Sequence, residues 1–486
     1  MAQVRLAFWF DAEDYTSPYE PVCLARLAGV FARRGLRATW KLVGEEARML
    51  RRAAAGDSPG RDAAAAREAL RAIGGQDLGF HTDWHSLHPT VAEYCTGAGW
   101  EDGQERFDRT EGPGLQALRA AFPGRPVLCY GQAGASWAPQ AYPVLRRWGI
   151  PLYLDEAGHV GCAEQPFFYG GVLNVLRLRH FCVRRRGHRP PGEGAPEAAA
   201  DLGRIATALA ARGGGMAQCW WHPNELYTDQ WWDGLNFGAG VNAITPAVDG
   251  AAAYRVPEPV PPEERERRFA SLEAFVDAAA RRPDVRICGA AEIVAAYPDR
   301  ARGRRFAPEE LRRVAEALAD GLTHQRHGDV TLSAAEAAYL LARALAGPVP
   351  ADGVPLETSP DGPSSRAQAD LPDAAPLEEV RLAAAACVEA VHRTGRLPDA
   401  LPLAGGTADP PSLAAAFALA HLETEHPRPG AGGRIPLARP RLAAEDYIRG
   451  EGVWGWSIFA PGFNPTDLIE LARLQAWTLK PALLAR

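Results

Sequence analysis

The sequence predicts an α/β protein, a distorted (β/α) barrel over residues 1–302 followed by an all-α region over 303–486. Three observations predict it. Short β-rich runs alternate with helical stretches through the first part of the chain, the pattern of parallel strands joined by crossover helices. Polar residues able to do chemistry gather where those runs end, as they do on the C-terminal face of a barrel. Beyond about residue 303 the composition turns to alanine and leucine at helical spacing.

In chain order, the strands are expected at 4–10 (VRLAFWF), 37–43 (RATWKLV), 77–81, 127–130 (VLCY), 150–154 (IPLYL), 172–178, 217–221 (AQCWW) and 285–288 (VRIC). Amphipathic stretches at 20–35, 61–74, 113–122, 138–148, 197–212 and 264–282 lie between them and predict the crossover helices. Asp11, His81, Asp155 and His222 all fall at or just past a strand end. Core residues would be spread along the strands, so this coincidence favours a site.

In the second region a proline- and serine-rich stretch, 347–376, reads as a loop or linker. The helix openings Glu310–Ala315 and Glu379–Ala384 are alike, and SAAEAAYLLA (333–342) is echoed by SLAAAFALA (412–420) and more faintly by TDLIELARL (466–474). An approximate helical duplication is expected, without a catalytic cluster of its own.

Of the 486 residues 47% are apolar and 23% charged, the make-up of an ordinary folded chain. A formal charge of -6 makes no case for nucleic acid. Cysteines 23, 95, 129, 162, 182, 219, 288 and 387 form no CxxC and no compact framework, which suits buried thiols in a reducing compartment. The N-terminus runs straight into a strand without a basic start or cleavage site, and no run of about 18 apolar residues occurs. The expectation is a cytoplasmic protein with a small-molecule or glycan substrate, no nucleic-acid or membrane partner, and a helical region free to mediate homo-oligomers or dock a protein.

The chemistry is concentrated in Gly79-Phe80-His81-Thr82-Asp83-Trp84-His85, where two imidazoles four residues apart come within reach of one metal ion. Alone, that spacing is common. Its company is the acidic cluster Asp11, Glu13 and Asp14 after the first strand and His222 after a later one. Two neutral imidazoles and one carboxylate suit a divalent metal, which activates water for hydrolysis by lowering its pKa. A second carboxylate would then take the proton, and His222 would protonate the leaving group. His88 reads as a surface or supporting residue. Seven tryptophans (84, 137, 148, 220, 221, 231, 232) lie near strand ends, and two or three of them should face the pocket. Arg184–Arg186, His188 and Arg189 form a basic run that reads as a solvated loop.

These residues resemble the NodB-homology polysaccharide deacetylases, the fourth carbohydrate esterase family. FWFDAEDY (8–15) is similar to that family's first motif, GFHTDWH (79–85) to its HxxxH loop, and ATWKLVGEEA (38–47) to the strand preceding that loop. The resemblance spans roughly residues 4–300. It implies a distorted (β/α) barrel that removes acetyl groups from sugars with a His-His-Asp metal site, most readily zinc, with cobalt, iron or manganese as alternatives. It further implies Asp11 as base and His81 and His85 as ligands. The third ligand is Glu13 or Asp14, because Ala12 separates the acids, and the resemblance favours Asp14 since an Asp is the family's ligand type. His222, in AQCWWHP, matches the last motif's histidine, and Asp155 the acid that orients it.

One departure stands out. Where the family carries an arginine that holds the base aspartate, this chain reads CYGQAGASW (129–137). Gln132 would hydrogen-bond Asp11 without a charge, leaving Asp11 more basic than an arginine-paired counterpart. Trp84, Trp137 and Trp221 are the aromatic residues expected beside a substrate. The sequence thus favours a deacetylase-like hydrolase of C–N amides, with an amidohydrolase of a small non-sugar amide or a catalytically silent binding module as alternatives.

Overall fold

The structure, a computed structural model, describes residues 4–58, 60–176, 178, 181–183, 194–240, 254–425 and 433–485. The basic run at 184–189 lies outside the described residues.

The barrel half begins with β1 (Val4–Ala12), α1 (Glu20–Ala32), β2 (Thr39–Leu42), α2 (Gly44–Ala55), α3 (Ala63–Gly74) and β3 (Asp77–Phe80). Next come α4 (Val91–Cys95), α5 (Trp100–Ala121), β4 (Val127–Tyr130), α6 (Ala141–Trp148), β5 (Leu152–Asp155), β6 (Phe167–Tyr169) and β7 (Val172–Leu176). It closes with α7 (Ala195–Ala210), β8 (Gly215–Trp221), α8 (Trp232–Phe237), α9 (Pro262–Ala280), β9 (Val285–Cys288) and α10 (Ala290–Ala296). The strands lie in the order β6-β7-β5-β4-β3-β2-β1-β8, parallel except for β6. On one edge of β1, β9 pairs with its first half and β2 with its second. The sheet curls into a half-barrel.

Alternation along β1 decides which side chains meet. Phe8 and Phe10 point to the helices, against Phe31 of α1 at 4.9 and 5.6 Å between ring centroids, and against Trp221 and Trp40. Trp9 points the other way and stacks on Trp220 at 5.2 Å. Both faces are therefore buried, as parallel strands require. Asp11 follows Trp9 inward, opposite Lys41 of β2, which in turn lies opposite Gly79 of β3.

Helix α5 is longer than the sequence suggested. Pro113, where the expected stretch 113–122 began, lies inside it, and the helix begins at Trp100. The reason is packing. Phe107, Leu115 and Leu118 are buried along one face, and Gly114 lets α5 approach Asp83, whose Cα would stand 2.5 Å from any Cβ there.

The second half contains α11 (Pro308–Asp320), α12 (Ala334–Ala346), α13 (Leu377–Thr394), α14 (Pro410–Glu425) and α15 (Thr466–Gln475). It is helical but not all-α. Gln325–His327 and Val330–Leu332 form a hairpin between α11 and α12, and Leu401–Leu403 and Gly406–Ala408 form another between α13 and α14. Each helix pair is also framed by an antiparallel ladder, Arg305–Phe306 with Val354–Pro355 and Ala374–Pro376 with Arg434–Pro436. Two-residue turns make the hairpins, with Gly328 at φ 65° and Ala404 and Gly405 at 53° and 80°, and alanine-rich periodicity conceals such short strands. The stretches 333–342 and 412–420, which echo one another in sequence, thus share one element order, and 466–474 lies outside it.

The two halves are tied into one apolar cluster. Lys480 and Pro481 pair antiparallel with β6, so the end of the chain extends the barrel's sheet. Lys480 Nζ, buried, reaches Asp299 at 2.9 Å and Glu336 at 2.8 Å. Among the described residues no helix is long and apolar enough to cross a membrane. None of the eight cysteines is in a disulfide, and all but Cys182 are buried.

Candidate metal centre and active site

The inward residues at the strand ends converge on one point. Glu13 Oε2 stands 3.2 Å from His81 Nε2 and 3.0 Å from His85 Nε2, and all three side chains are buried. Two residues on, the period of β1 carries Asp11 inward and then Glu13, while Asp14 falls on the other parity. The Asp14 carboxylate turns back on its own loop, where Oδ1 accepts from Thr16 Oγ1 at 2.6 Å and from the amides of Thr16 and Ser17 at 3.2 and 3.1 Å. The acid that stands beside His81 and His85 is therefore Glu13, where Asp14 was expected.

The histidine loop is not helical. Thr82 and Ser86 adopt left-handed backbone, φ 63° and 66°, unusual above all for a β-branched threonine. That turn brings His85 back over His81, with ring centroids 5.3 Å apart.

The hydrogen bonds fix the tautomers. His81 Nδ1 lies 2.9 Å from the carbonyl of Gly131, which only accepts, so Nδ1 carries the proton. His85 Nδ1 lies 2.6 Å from Ser86 Oγ, which itself donates to Asp233 at 3.3 Å. In the neutral rings, both Nε2 lone pairs then face a carboxylate oxygen. Acceptors so opposed need positive charge between them, and the three donor atoms lie within 4.8 Å of one another, close enough to share one ion. The residues fit a divalent metal of the N- and O-ligated kind. With the imidazoles protonated instead, burial opposes ionisation of Glu13, but the charges of His85 and His222 and hydrogen bonds from His81 and His85 outweigh it and hold the carboxyl well below its usual range.

His222 stands across the centre, Nε2 at 3.8 Å from Glu13 Oε1 and 3.9 Å from Asp11 Oδ2. Its Nδ1 faces Glu225 Oε1 at 3.4 Å. Burial works against the imidazolium, yet Glu13, Glu225 and Asp11 outweigh it and push the pKa up to about 9. The acid beside His222 is therefore Glu225, three residues on in sequence, and not Asp155. Asp155 instead meets Lys41, whose Nζ lies 3.3 Å from Asp155 Oδ2 and 2.8 Å from Asp11 Oδ1.

Gln132 does not serve Asp11 either. Its Oε1 accepts from Tyr153 at 2.6 Å and its Nε2 donates to the carbonyl of Gly134. The cation beside Asp11 comes from β2, as Lys41, so the expectation of a chargeless neighbour is corrected.

Three of the seven strand-end tryptophans face the centre, but not those expected. Trp231 and Trp220 stand edge-on to His222 at 4.6 and 5.2 Å, and Trp232 donates to Glu13 Oε1 at 3.2 Å. Trp221 has the wrong parity and packs on Phe8 and Phe275 on the helix side. Trp137 is core, stacked on His159, and Trp84 packs edge-on to Tyr15. Trp456, from the C-terminal half, stands against His85 at 5.9 Å. His88 pairs with Glu93 at 2.7 Å, outside the group of Glu13, His81 and His85. Behind the loop lies a separate cavity of about 550 Å³, lined by Thr82, Trp84, Tyr94 and Glu111 among others.

No family model matches the sequence, and no curated protein matches it. Among solved structures the chain is similar to a protein described as a polysaccharide deacetylase from Mycobacterium smegmatis, at 15% identity over 61% of this chain and 90% of that one, TM-score 0.37. It is similar to the Puue allantoinase at 11% identity over 60% of this chain and 90% of that one, TM-score 0.38. A family 4 carbohydrate esterase from Streptomyces lividans, solved with acetate, matches at 12% identity over 59% and 93% of the two chains, TM-score 0.28.

Proposed function

We propose that this chain is a metal-dependent hydrolase of a C–N amide, releasing the acyl group of an acylated amino sugar or a related small amide. The observation that carries the reading is the convergence of Glu13, His81 and His85 around one ion-sized space, with the Asp11 carboxylate and the His222 imidazole 3.9 Å apart beside it. Glu13, His81 and His85 would hold the ion, zinc being the first choice and manganese, iron or cobalt the alternatives. When bound, such an ion lowers the pKa of water and polarises the acyl carbonyl.

The chain's own residues supply the rest. Asp11 accepts the proton of the attacking water. His222, held by Glu225, delivers a proton to the departing nitrogen, so that an amine and a carboxylate leave. Gly131 and Ser86 fix the tautomers that aim both ligand histidines inward. Trp220, Trp231 and Trp232 exclude water around His222 and Glu13, and the partly exposed Trp220 and Trp231 offer ring surface to a sugar or acyl group.

Enclosure favours the compact end of the substrate range. Asp11, Glu13, His81 and His85 are each at most 5% exposed, and Trp456 walls the side of His85. A small acylated compound or a chain end suits this better than the interior of a polymer. A cytoplasmic setting is part of the proposal, in keeping with cysteines whose spacing makes no compact disulfide framework. The test is acyl release by metal-loaded protein from N-acetylglucosamine, acetylated chito-oligosaccharides and small N-acyl amides. Release abolished by Asp11→Asn supports the reading, and inactivity on the whole panel refutes it in favour of a binding module.

A further inference from the structure

We propose that Lys41 is the positioning residue for Asp11: its ammonium binds one carboxylate oxygen and so presents the other to the reacting atoms. The assignment rests on the hydrolase reading above. Lys41 lies mid-strand in β2 with no solvent exposure, a place a lysine occupies only when paired. Its Nζ is 2.8 Å from Asp11 Oδ1, while Asp11 Oδ2 is the oxygen turned toward His222 Nε2 at 3.9 Å. One cation thus selects which oxygen faces the site.

The barrel is shaped around this side chain. A Cβ at Gly79 would stand 2.7 Å from Lys41 Cγ, and one at Gly131 would run into Lys41 Nζ, so two neighbouring strands leave a slot for it. The Trp9 ring, 4.2 Å from Nζ, fixes it from a third side. Asp155 Oδ2, at 3.3 Å, holds the ammonium from the side of β5. A lysine that merely neutralised a buried acid would need one carboxylate. Here it is tethered by one, Asp155, and directs another, Asp11.

The test compares the wild type with Lys41→Met, close in length and without charge, using whichever amide of the panel the wild type cleaves. A positioning role predicts that kcat falls by about 100-fold or more with KM within about threefold. Metal content per chain should match the wild type, since Lys41 touches none of Glu13, His81 and His85. Adding Lys41→Met to Asp11→Asn should cost less than about threefold beyond the residual rate of Asp11→Asn alone, because Lys41 acts only through that carboxylate. Should Lys41→Met fail to fold, Lys41→Met/Asp155→Asn removes one buried charge of each sign, and its kcat should stay low. Wild-type kcat in Lys41→Met, additive losses with Asp11→Asn, or recovery of kcat in the Asp155→Asn double variant would each overturn the assignment while leaving the hydrolase reading intact. An inactive, metal-loaded wild type overturns both.

Discussion

Trp456 of the C-terminal half stands edge-on to His85, with ring centroids 5.9 Å apart and planes at 88°. The contact is built in from both sides. Trp454 Nε1 donates to the carbonyl of Trp137, Ala460 N donates to Glu93, and a Cβ at Gly134 would collide with the Trp456 indole. The helical region therefore forms one wall of the site. Trp456→Ala should remove that wall without touching a ligand. Longer acylated substrates should gain about tenfold in kcat/KM relative to compact ones, roughly 1.4 kcal/mol of altered discrimination. Unchanged relative rates across a size series would show that the wall does not limit access.

Glu13 and Asp14 should separate cleanly by metal analysis. Glu13→Ala removes an inward ligand atom, and affinity for zinc should drop by at least ~100-fold, about 2.7 kcal/mol. Asp14→Ala should leave metal content at the wild-type level. Its cost should appear in stability, on the order of 1 kcal/mol for each hydrogen bond lost from Thr16 and Ser17. Metal loss in Asp14→Ala with retention in Glu13→Ala would reverse the assignment.

What the sequence showed of the site follows from which rules are local. His81 and Asp11 are legible because each stands at a strand end, and His85 because it follows His81 by four residues. Glu13 was also legible, since residues 9, 11 and 13 share one face of a strand at period two, whereas Asp14 does not. The same period separates Trp220 from Trp221. Glu225 follows His222 by three residues, a spacing that a tight turn after a strand brings together. Lys41 left a signal too, a lysine between Trp40 and Leu42 in a strand that must be buried on both faces. Its partners, and Trp456, are set by how strands and halves pack, which no local pattern encodes. The hairpins of the second half hid because each strand is three residues long between alanine-rich helices.

Lys480 predicts how firmly the two halves are coupled. Its ammonium is shared by Glu336, 1% exposed, and by Asp299 at the end of the barrel half. Lys480→Met would strand a buried carboxylate, at a cost of about 3–5 kcal/mol. Denaturation in urea should show that loss, and Lys480→Met/Glu336→Gln should recover part of it. A single variant as stable as the wild type would mean that the pair is not the tie it resembles.

Glu111 makes the last prediction, on pH. Burial pushes its pKa from 4.5 up to about 7, against the hydrogen bond from the Asp83 amide and that from the Tyr94 hydroxyl. Between those values the folded chain holds a proton that the unfolded chain has released. Stability therefore falls as pH rises through this window, and the penalty is fully present above about pH 7, on the order of 3 kcal/mol for a shift of this size. Glu111→Gln keeps the shape and never ionises. Its amide oxygen accepts from Asp83 N–H while its NH₂ donates to the Tyr94 oxygen, so the two hydrogen bonds survive with one reversed. Measured by denaturant unfolding, the variant should be close to the wild type at pH 5 and more stable by about 2–3 kcal/mol at pH 8. A difference that does not change with pH would mean that Glu111 is already ionised in the folded state at neutral pH, with the loop carrying Asp83 adjusted around its charge.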